Sequence, residues 1–250
     1  MCAENSPAGV DLSIVIPAYN EEKRLPATLV RIRAYLQNRN ESAEVIVIDD
    51  GSSDGTAQLV QTSAANWPAL RLVKNPGNRG KGYSVRHGML EACGATVLFT
   101  DADLSAPIEE ADKLIGALAT HDVAIGSRAM DRSLIEVHQP WYRETIGIIF
   151  NGVVRIVLGL PFADTQCGFK AFRGARSRII FEQQRIERFG FDPEILFLAR
   201  RHGLTVAEVP VRWANDVATR VNALRDGLAM FGEMFVIRWN ALSGKYPRRK

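Results

Sequence analysis

The chain has 250 residues, with 31 basic and 28 acidic side chains and a formal net charge of +3. So small an excess argues against a nucleic-acid partner, and 46% hydrophobic with 24% charged residues excludes a disordered or fibrous chain. Three cysteines, Cys2, Cys93 and Cys167, lack metal-site spacing and cannot all pair, which predicts a reducing compartment.

Residues 1–10 lack a charged stretch followed by an apolar run, so no secretion signal is expected and they read as a flexible N-terminus. Short apolar runs rich in β-branched residues then recur at Leu12–Ile16, Glu44–Ile48, Leu70–Val73, Ala95–Phe99 and Val123–Ile125. Stretches of helical length separate them, at Glu21–Gln37, Asp54–Ala65 and Gly82–Cys93, and Asp54 and Pro107 mark helix starts. This alternation predicts an α/β fold with a mostly parallel sheet, covered by helices on both faces.

The second half reads differently. Trp141–Leu158 is predicted helical, with Ile146, Ile149, Phe150, Val153 and Val157 on one stripe. The Gly-rich segment Gly168–Gly174 follows, then a helix at Asp192–His202, a strand at Val206–Val211 and a long helix from about Val217 to Leu242. The most apolar window, Ile146–Phe162, is broken by Asn151, Arg155 and Pro161. A spanning helix needs about 20 mostly apolar residues, so no membrane crossing is expected. With no repeat and no linker, residues 11–215 read as one domain and 216–250 as an amphipathic helix with a basic tail.

Ligands on an open parallel sheet bind beyond the carboxyl ends of its strands. Those ends carry Pro17–Glu22 (PAYNEE), Asp49–Gly55 (DDGSSDG), Asp101–Asp103 (DAD) and Gly126–Arg128 (GSR). So much negative charge calls for a cation or a cationic ligand. Residues two apart on an extended segment face the same side, so Asp101 and Asp103 can share one hard ion, Mg²⁺ or Mn²⁺, with a substrate diphosphate. Taken alone the pair is also compatible with a solvated turn. The loop Gly77–Gly82 (GNRGKG) does not meet the P-loop pattern, since Lys81 is followed by Gly82, yet a basic loop opening a helix suits a diphosphate.

Taken in order, PAYNEE, DDGSSD, NRGKG (Asn78–Gly82), DAD and GSR resemble the motifs of family 2 glycosyltransferases with the GT-A fold. Asp164–Lys170 (DTQCGFK) and Phe189–Glu194 (FGFDPE) are similar to the polyprenyl-phosphate branch, to dolichyl-phosphate β-glucosyltransferases before mannose synthases. The resemblance implies that Pro17, Tyr19, Glu21, Asp50, Lys81 and Asp101 bind a nucleotide diphosphate sugar. It implies that Asp101 and Asp103 hold the metal, with Asp103 the direct ligand. Arg128, Gln166 and Asp192 take catalytic roles about the donor sugar and acceptor. The implied activity is inverting hexosyl transfer, from UDP-glucose to a polyprenyl or dolichyl phosphate. GDP-mannose, a sugar-hydroxyl acceptor, and a catalytically silent nucleotide-sugar-binding protein stand as alternatives.

A hydroxyl acceptor would need a base, for which Asp192 is the candidate, whereas a lipid phosphate needs only cations. Arg128, Arg132, Arg143 and Lys170 are the candidates to hold it. In the last helix Val221, Leu224, Leu228, Phe231 and Phe235 form an apolar stripe, and Lys245–Lys250 is basic. The stripe either packs on the domain, docks on an anionic membrane from its cytoplasmic face, or forms a homodimer through Met230, Phe231 and Met234.

Overall fold

A computed structural model of the chain describes residues 9–215 and 223–247. The expected strands form where the apolar runs lie: β1 (Leu12–Ala18), β2 (Ala43–Asp49), β3 (Leu70–Lys74), β4 (Thr96–Thr100) and β5 (Val123–Ser127). Between them run α1 (Leu25–Gln37), α2 (Thr56–Ala64), α3 (Lys81–Glu91) and α4 (Ala111–Ala117). Helix α1 begins four residues later than Glu21. Asn20 has φ of +54°, and the amide of Glu21 donates to Thr56 Oγ1 at 2.8 Å, so Pro17–Arg24 is a loop over the strand end.

Next come β6 (Ile135–Val137), α5 (Trp141–Leu158), β7 (Phe169–Arg173), α6 (Gly174–Gln183), α7 (Phe191–Arg201), β8 (Val206–Pro210), β9 (Trp213–Ala214) and α8 (Ala223–Leu242). The main sheet has the order β3-β2-β1-β4-β7-β5-β8. Every pairing in it is parallel except those of β7, which runs antiparallel between β4 and β5. The Gly-rich segment is therefore a central strand, and α6, absent from the sequence reading, follows directly. Strand β6 pairs with β9 in a separate two-stranded ribbon.

Strand alternation divides the core between the faces of the sheet. Leu12, Ile14, Ile16, Val45 and Val47 join one cluster with Leu25, Leu29 and Ile32 of α1. Val15, Ile46, Ile48, Phe99 and Phe172 join the other, under α3, α5, α6, α7 and α8. Each such buried aliphatic contributes roughly 1.5–3 kcal/mol relative to exposure, so both helical layers are held firmly on the sheet.

Helix α5 buries Phe150, Val154 and Leu158 rather than the whole stripe read from sequence; Ile149 is outward, as are Ile148 and Ile156. Gly159, at φ +68°, ends it in the left-handed conformation that glycine adopts without strain.

Helix α8 is no detached extension. Met234 and Ile237 are fully buried, and Phe231 meets Phe150 edge to face with ring centroids 5.3 Å apart. The homodimer contact read at Met230, Phe231 and Met234 is thus spent on the chain's own core. Of the rest of the stripe, Val221 and the side chains of Leu224 and Leu228 lie outside the described residues. The exposed apolar face is instead Phe235, Val236, Trp239 and Leu242. Tyr246 is also buried, its hydroxyl donating to Glu194 at 2.5 Å, so part of the expected tail belongs to the core. At the other end Val10 is buried and its carbonyl accepts from Ala95, which ties residues 9–10 to the domain.

Candidate active site

The parallel strands β1, β2 and β4 end on the same edge of the sheet, and a cleft of about 430 Å³ opens there. Pro17, Tyr19, Glu21, Asp50, Lys81, Asp101 and Asp103 all line it. Seven residues taken from four separate motifs thus meet in one place.

Within the cleft their tasks differ. Asp50 is buried, accepting from Asn75 Nδ2 at 2.7 Å and from the amides of Arg79 and Gly80 at 3.0 and 2.8 Å. Its carboxylate therefore fixes the loop before α3. Gly80 has φ of +104°, and a Cβ there would meet the carbonyl of Glu187 at 2.6 Å, so this turn requires glycine. The loop delivers Lys81 to the first position of α3, where orphan backbone amides and the helix dipole favour an anion.

Lys81 Nζ lies 2.5 Å from Asp101 Oδ1. Burial alone would lower its pKa, but the charges of Asp101 and Asp192 outweigh burial and the net shift is upward. Burial first, then the like charge of Asp101, raises Asp103 above the ordinary carboxylate range. Among the described residues no three His, Cys, Asp or Glu side chains converge as a ready metal cage. Two carboxylates are nonetheless a fitting donor set for Mg²⁺ or Mn²⁺, which commonly takes one or two carboxylates and completes its shell with phosphate oxygens and water. An ion there would also relieve the repulsion that raises Asp103.

A second groove, of about 420 Å³, lies along α5 and is lined by Arg128, Arg132, Asn151, Arg155, Gln166 and Trp213, among others. Arg128 forms a bidentate pair with Asp164, at 2.6 and 2.9 Å, over the Trp213 ring at 5.3 Å. Burial opposes both charges, yet their mutual attraction prevails: Asp164 is held down at about 2 and Arg128 is raised. Arg132 donates to Glu144 at 2.6 Å, and His138 Nδ1 lies 3.0 Å from the same carboxylate. The amide nitrogen of Gln166 reaches the Met230 sulfur at 3.9 Å.

Lys170 is not among the groove residues. It sits in the middle of β7 with no exposed surface, its ammonium bonded to Asp192 and, at 2.6 Å, to the Cys167 carbonyl. A phosphate cannot reach it there, so its reading as an acceptor-binding cation does not fit the structure. Its charge serves Asp192, whose pKa burial raises while Lys170 pulls it down. The Arg143 side chain lies outside the described residues.

Strand β7 links the two clefts. Gly168 precedes it, and a Cβ there would strike Asp101 Oδ2 at 2.1 Å, so only glycine lets the chain pass this close to the carboxylate. The Asp192 charge helps hold the proton on Lys81 in one cleft and on Arg128 beside the other. Sequence reasoning missed Arg188, which lines the first cleft beside Phe189 of the FGFDPE motif, and Arg155 in the second. Arg188 directly precedes the FGFDPE motif, and Arg155 follows Asn151 by one helical turn; neither has a spacing that marks it out.

Residues 13–175 match the profile of Glycosyl transferase family 2, and the chain belongs to this family of glycosyltransferases. It is 35% identical over 257 aligned residues to the dolichyl-phosphate beta-glucosyltransferase of Drosophila melanogaster, covering 97% of this chain and 78% of that one. With the enzyme of the same description from Saccharomyces cerevisiae it shares 33% over 258 residues, covering 96% and 77%. A dolichyl-phosphate beta-glucosyltransferase of Trichomonas vaginalis is 38% identical over 219 residues, covering 83% of this chain. The match spans 65% of that relative, just under two thirds of its length. Among solved structures, glucosyl-3-phosphoglycerate synthase of Mycobacterium tuberculosis with Mn²⁺, UDP-glucose and phosphoglyceric acid superposes with a TM-score of 0.66 at 20% identity. That superposition covers 97% of this chain and 82% of the synthase, and it establishes the shared GT-A-like fold.

Proposed function

We propose that the protein transfers glucose from UDP-glucose to a polyprenyl phosphate, with inversion at the anomeric carbon and with Mg²⁺ or Mn²⁺ bound. The carrying observation is that the carboxylates on the acceptor side are already occupied by cations. Asp164 is paired with Arg128, Glu144 with Arg132 and Asp192 with Lys170. A hydroxyl acceptor needs a carboxylate free to take its proton. A phosphate monoester arrives as an anion, needs no base, and is met by guanidinium groups.

In this reading Pro17, Tyr19 and Glu21 flank the nucleoside, and Asp50 sets the loop that presents Lys81 and the α3 amides to the diphosphate. Asp103, with Asp101, would hold the divalent ion, which when bound supplies counter-charge to the departing UDP. Lys81 and Arg188 add positive charge around the leaving diphosphate, where charge develops in the transition state. Asp192, fixed by Lys170, lies electrostatically between donor and acceptor and orients the sugar. Gln166 lines the groove and is positioned to hold the acceptor or sugar. The names of the relatives support glucose and the dolichyl phosphate acceptor. The ligands of the Mycobacterium fold neighbours, UDP-glucose, UDP, Mn²⁺ and Mg²⁺, support donor and metal.

An acceptor of this kind stays in the bilayer, and no described helix is long and apolar enough to cross one. The outward Ile148, Ile149 and Ile156 of α5, together with Phe235, Val236, Trp239 and Leu242 of α8, offer an apolar surface for peripheral docking. The thiols Cys93 and Cys167, which form no disulfide among the described residues, suit the reducing, cytoplasmic face.

The test is transfer from UDP-glucose and GDP-mannose, with Mn²⁺, to short-chain polyprenyl phosphate, free polyprenol and 3-phosphoglycerate. Product with UDP-glucose and polyprenyl phosphate alone supports the reading. Transfer to free polyprenol or to 3-phosphoglycerate, with none to polyprenyl phosphate, overturns it.

A further inference from the structure

The segment between α6 and α7, residues 184–190, forms one wall of the first cleft through Arg188 and Phe189. It lies against the start of α3. The Tyr83 amide donates to the Glu187 carbonyl at 3.0 Å, and Gln184 Nε2 donates to the Gly82 carbonyl at 2.8 Å. A Cβ on Gly82 would meet the carbonyls of Ile186 and Arg188 at 2.6 and 2.7 Å, so the two segments touch backbone to backbone. The segment is neither helix nor strand, and its amides have no ladder to join, so other groups must hold it on this path.

Carboxylates of α7 and α8 do so. Glu194 of α7, with no exposed surface, accepts from the amides of Arg185 and Ile186, both at 2.9 Å, and from the Tyr246 hydroxyl. Glu233 of α8 accepts from the Gly190 amide at 2.8 Å, from 43 residues away in the chain. Glu194 thus pins the entry of the segment and Glu233 its exit. The fit at the exit is close. Gly190 has φ of −77°, which any residue adopts, yet a Cβ there would strike Glu233 Oε2 at 2.3 Å. The glycine is needed because the carboxylate comes so near. Burial raises the Glu233 pKa, while the Gly190 amide and the charge of Arg188 draw it down, so this carboxylate and the Arg188 guanidinium attract one another.

We propose that Glu233 is a positioning residue for nucleotide binding, holding the Gly190 turn and the Arg188 side chain so that the guanidinium faces the diphosphate in the first cleft. The assignment rests on the nucleotide-sugar reading above. An arginine on an irregular segment has many rotamers, and ordering it at the moment of binding costs affinity. A fixed carboxylate behind it, anchored to the backbone of the same turn, removes part of that cost in advance. Glu233 does not itself line the cleft. Its own negative charge would only repel a diphosphate, so its benefit passes through Arg188.

The experiment is calorimetric binding of UDP with Mn²⁺ to the full chain and its variants, with steady-state KM values for UDP-glucose and short-chain polyprenyl phosphate. Loss of one charge-assisted hydrogen bond, and of the charge behind Arg188, weakens UDP about 3- to 10-fold in Glu233→Ala. The KM for UDP-glucose rises by the same factor, and the acceptor KM stays at the wild-type value. Glu233→Gln keeps an acceptor for the Gly190 amide without the charge and falls between. Arg188→Ala/Glu233→Ala binds UDP as Arg188→Ala does, within about twofold, because Glu233 acts through Arg188. Gly190→Ala pushes the same carboxylate away with Glu233 in place; it reproduces the loss and decides the matter should Glu233→Ala fail to fold. Unchanged or tighter UDP binding in folded Glu233→Ala or Gly190→Ala, or losses that multiply in the double variant, overturn this assignment alone. A wild-type chain that does not bind UDP with Mn²⁺ overturns the donor reading, and this assignment with it.

Discussion

Replacing Lys170 with methionine keeps much of the side chain's volume and removes its charge from a site with no solvent exposure. The ammonium bonds Asp192, whose side chain is 6% exposed, so the variant leaves a carboxylate buried without its counter-ion. Breaking one partner of such a pair costs roughly 3–5 kcal/mol. Asp192 can escape part of that by taking a proton, since burial already raises its pKa, which places the loss near the lower end. In a domain of this size each kcal/mol lowers the thermal midpoint by about 2–4 °C, so a fall of about 6–12 °C is expected. Lys170→Met/Asp192→Leu removes both charges, and buried pairs replaced by apolar groups are often neutral or better. The double variant should therefore return most of the lost midpoint while abolishing transfer. Scanning calorimetry of the three proteins decides the matter. A single variant melting within 2 °C of wild type would refute the claim that Lys170 neutralises Asp192. An acceptor KM rising with no loss of stability would instead return Lys170 to the acceptor's phosphate.

The Asp164 carboxyl is held at about 2 against an unfolded value of 3.8. A depressed folded pKa stabilises above the unfolded value, so the pair contributes about 2 kcal/mol near pH 5 and loses it as pH falls from 4 to 2. Asp164→Asn should flatten urea-unfolding stability over that window; an unchanged slope would count against the pair. Asp103→Ala should abolish the Mn²⁺-dependent part of UDP binding in calorimetry while leaving the melting curve intact. Arg188→Ala should raise the KM for UDP-glucose several-fold and leave the acceptor KM alone. Phe235→Ser/Trp239→Ser should lower co-sedimentation with anionic vesicles by more than half without loss of secondary structure in circular dichroism. Equal sedimentation of that double variant and wild type would remove α8 from the docking surface.

Local signals in the sequence were enough for the first five strands, because short apolar runs rich in β-branched residues alternate there with stretches of helical length. The same holds for the residues that line the cleft at the strand ends. Pro17, Asp50, Lys81, Asp101 and Asp103 each occupy a strand end or helix start, and parallel strands bring all such ends to one edge. The residues between α5 and α8 were less legible. An alternation with lysine at its centre does not announce a buried strand, so β7 read as a Gly-rich connection. Phe169 and Ala171 pack on one face of the sheet and Phe172 on the other, as in any central strand. What makes Lys170 tolerable among them is Asp192, twenty-two residues further along the chain.

The sequence by itself determined which residues carry charge at the strand ends, and therefore which residues line the cleft there. Only the tertiary structure decided which carboxylates the cations Arg128, Arg132 and Lys170 meet. Arg128, Arg132 and Lys170 look equally free when read along the chain. Folding brings Asp164, Glu144 and Asp192 against them from 36, 12 and 22 residues away. Ion pairing acts over a few ångströms in space and ignores distance along the chain, so these partnerships appear only when the chain is folded.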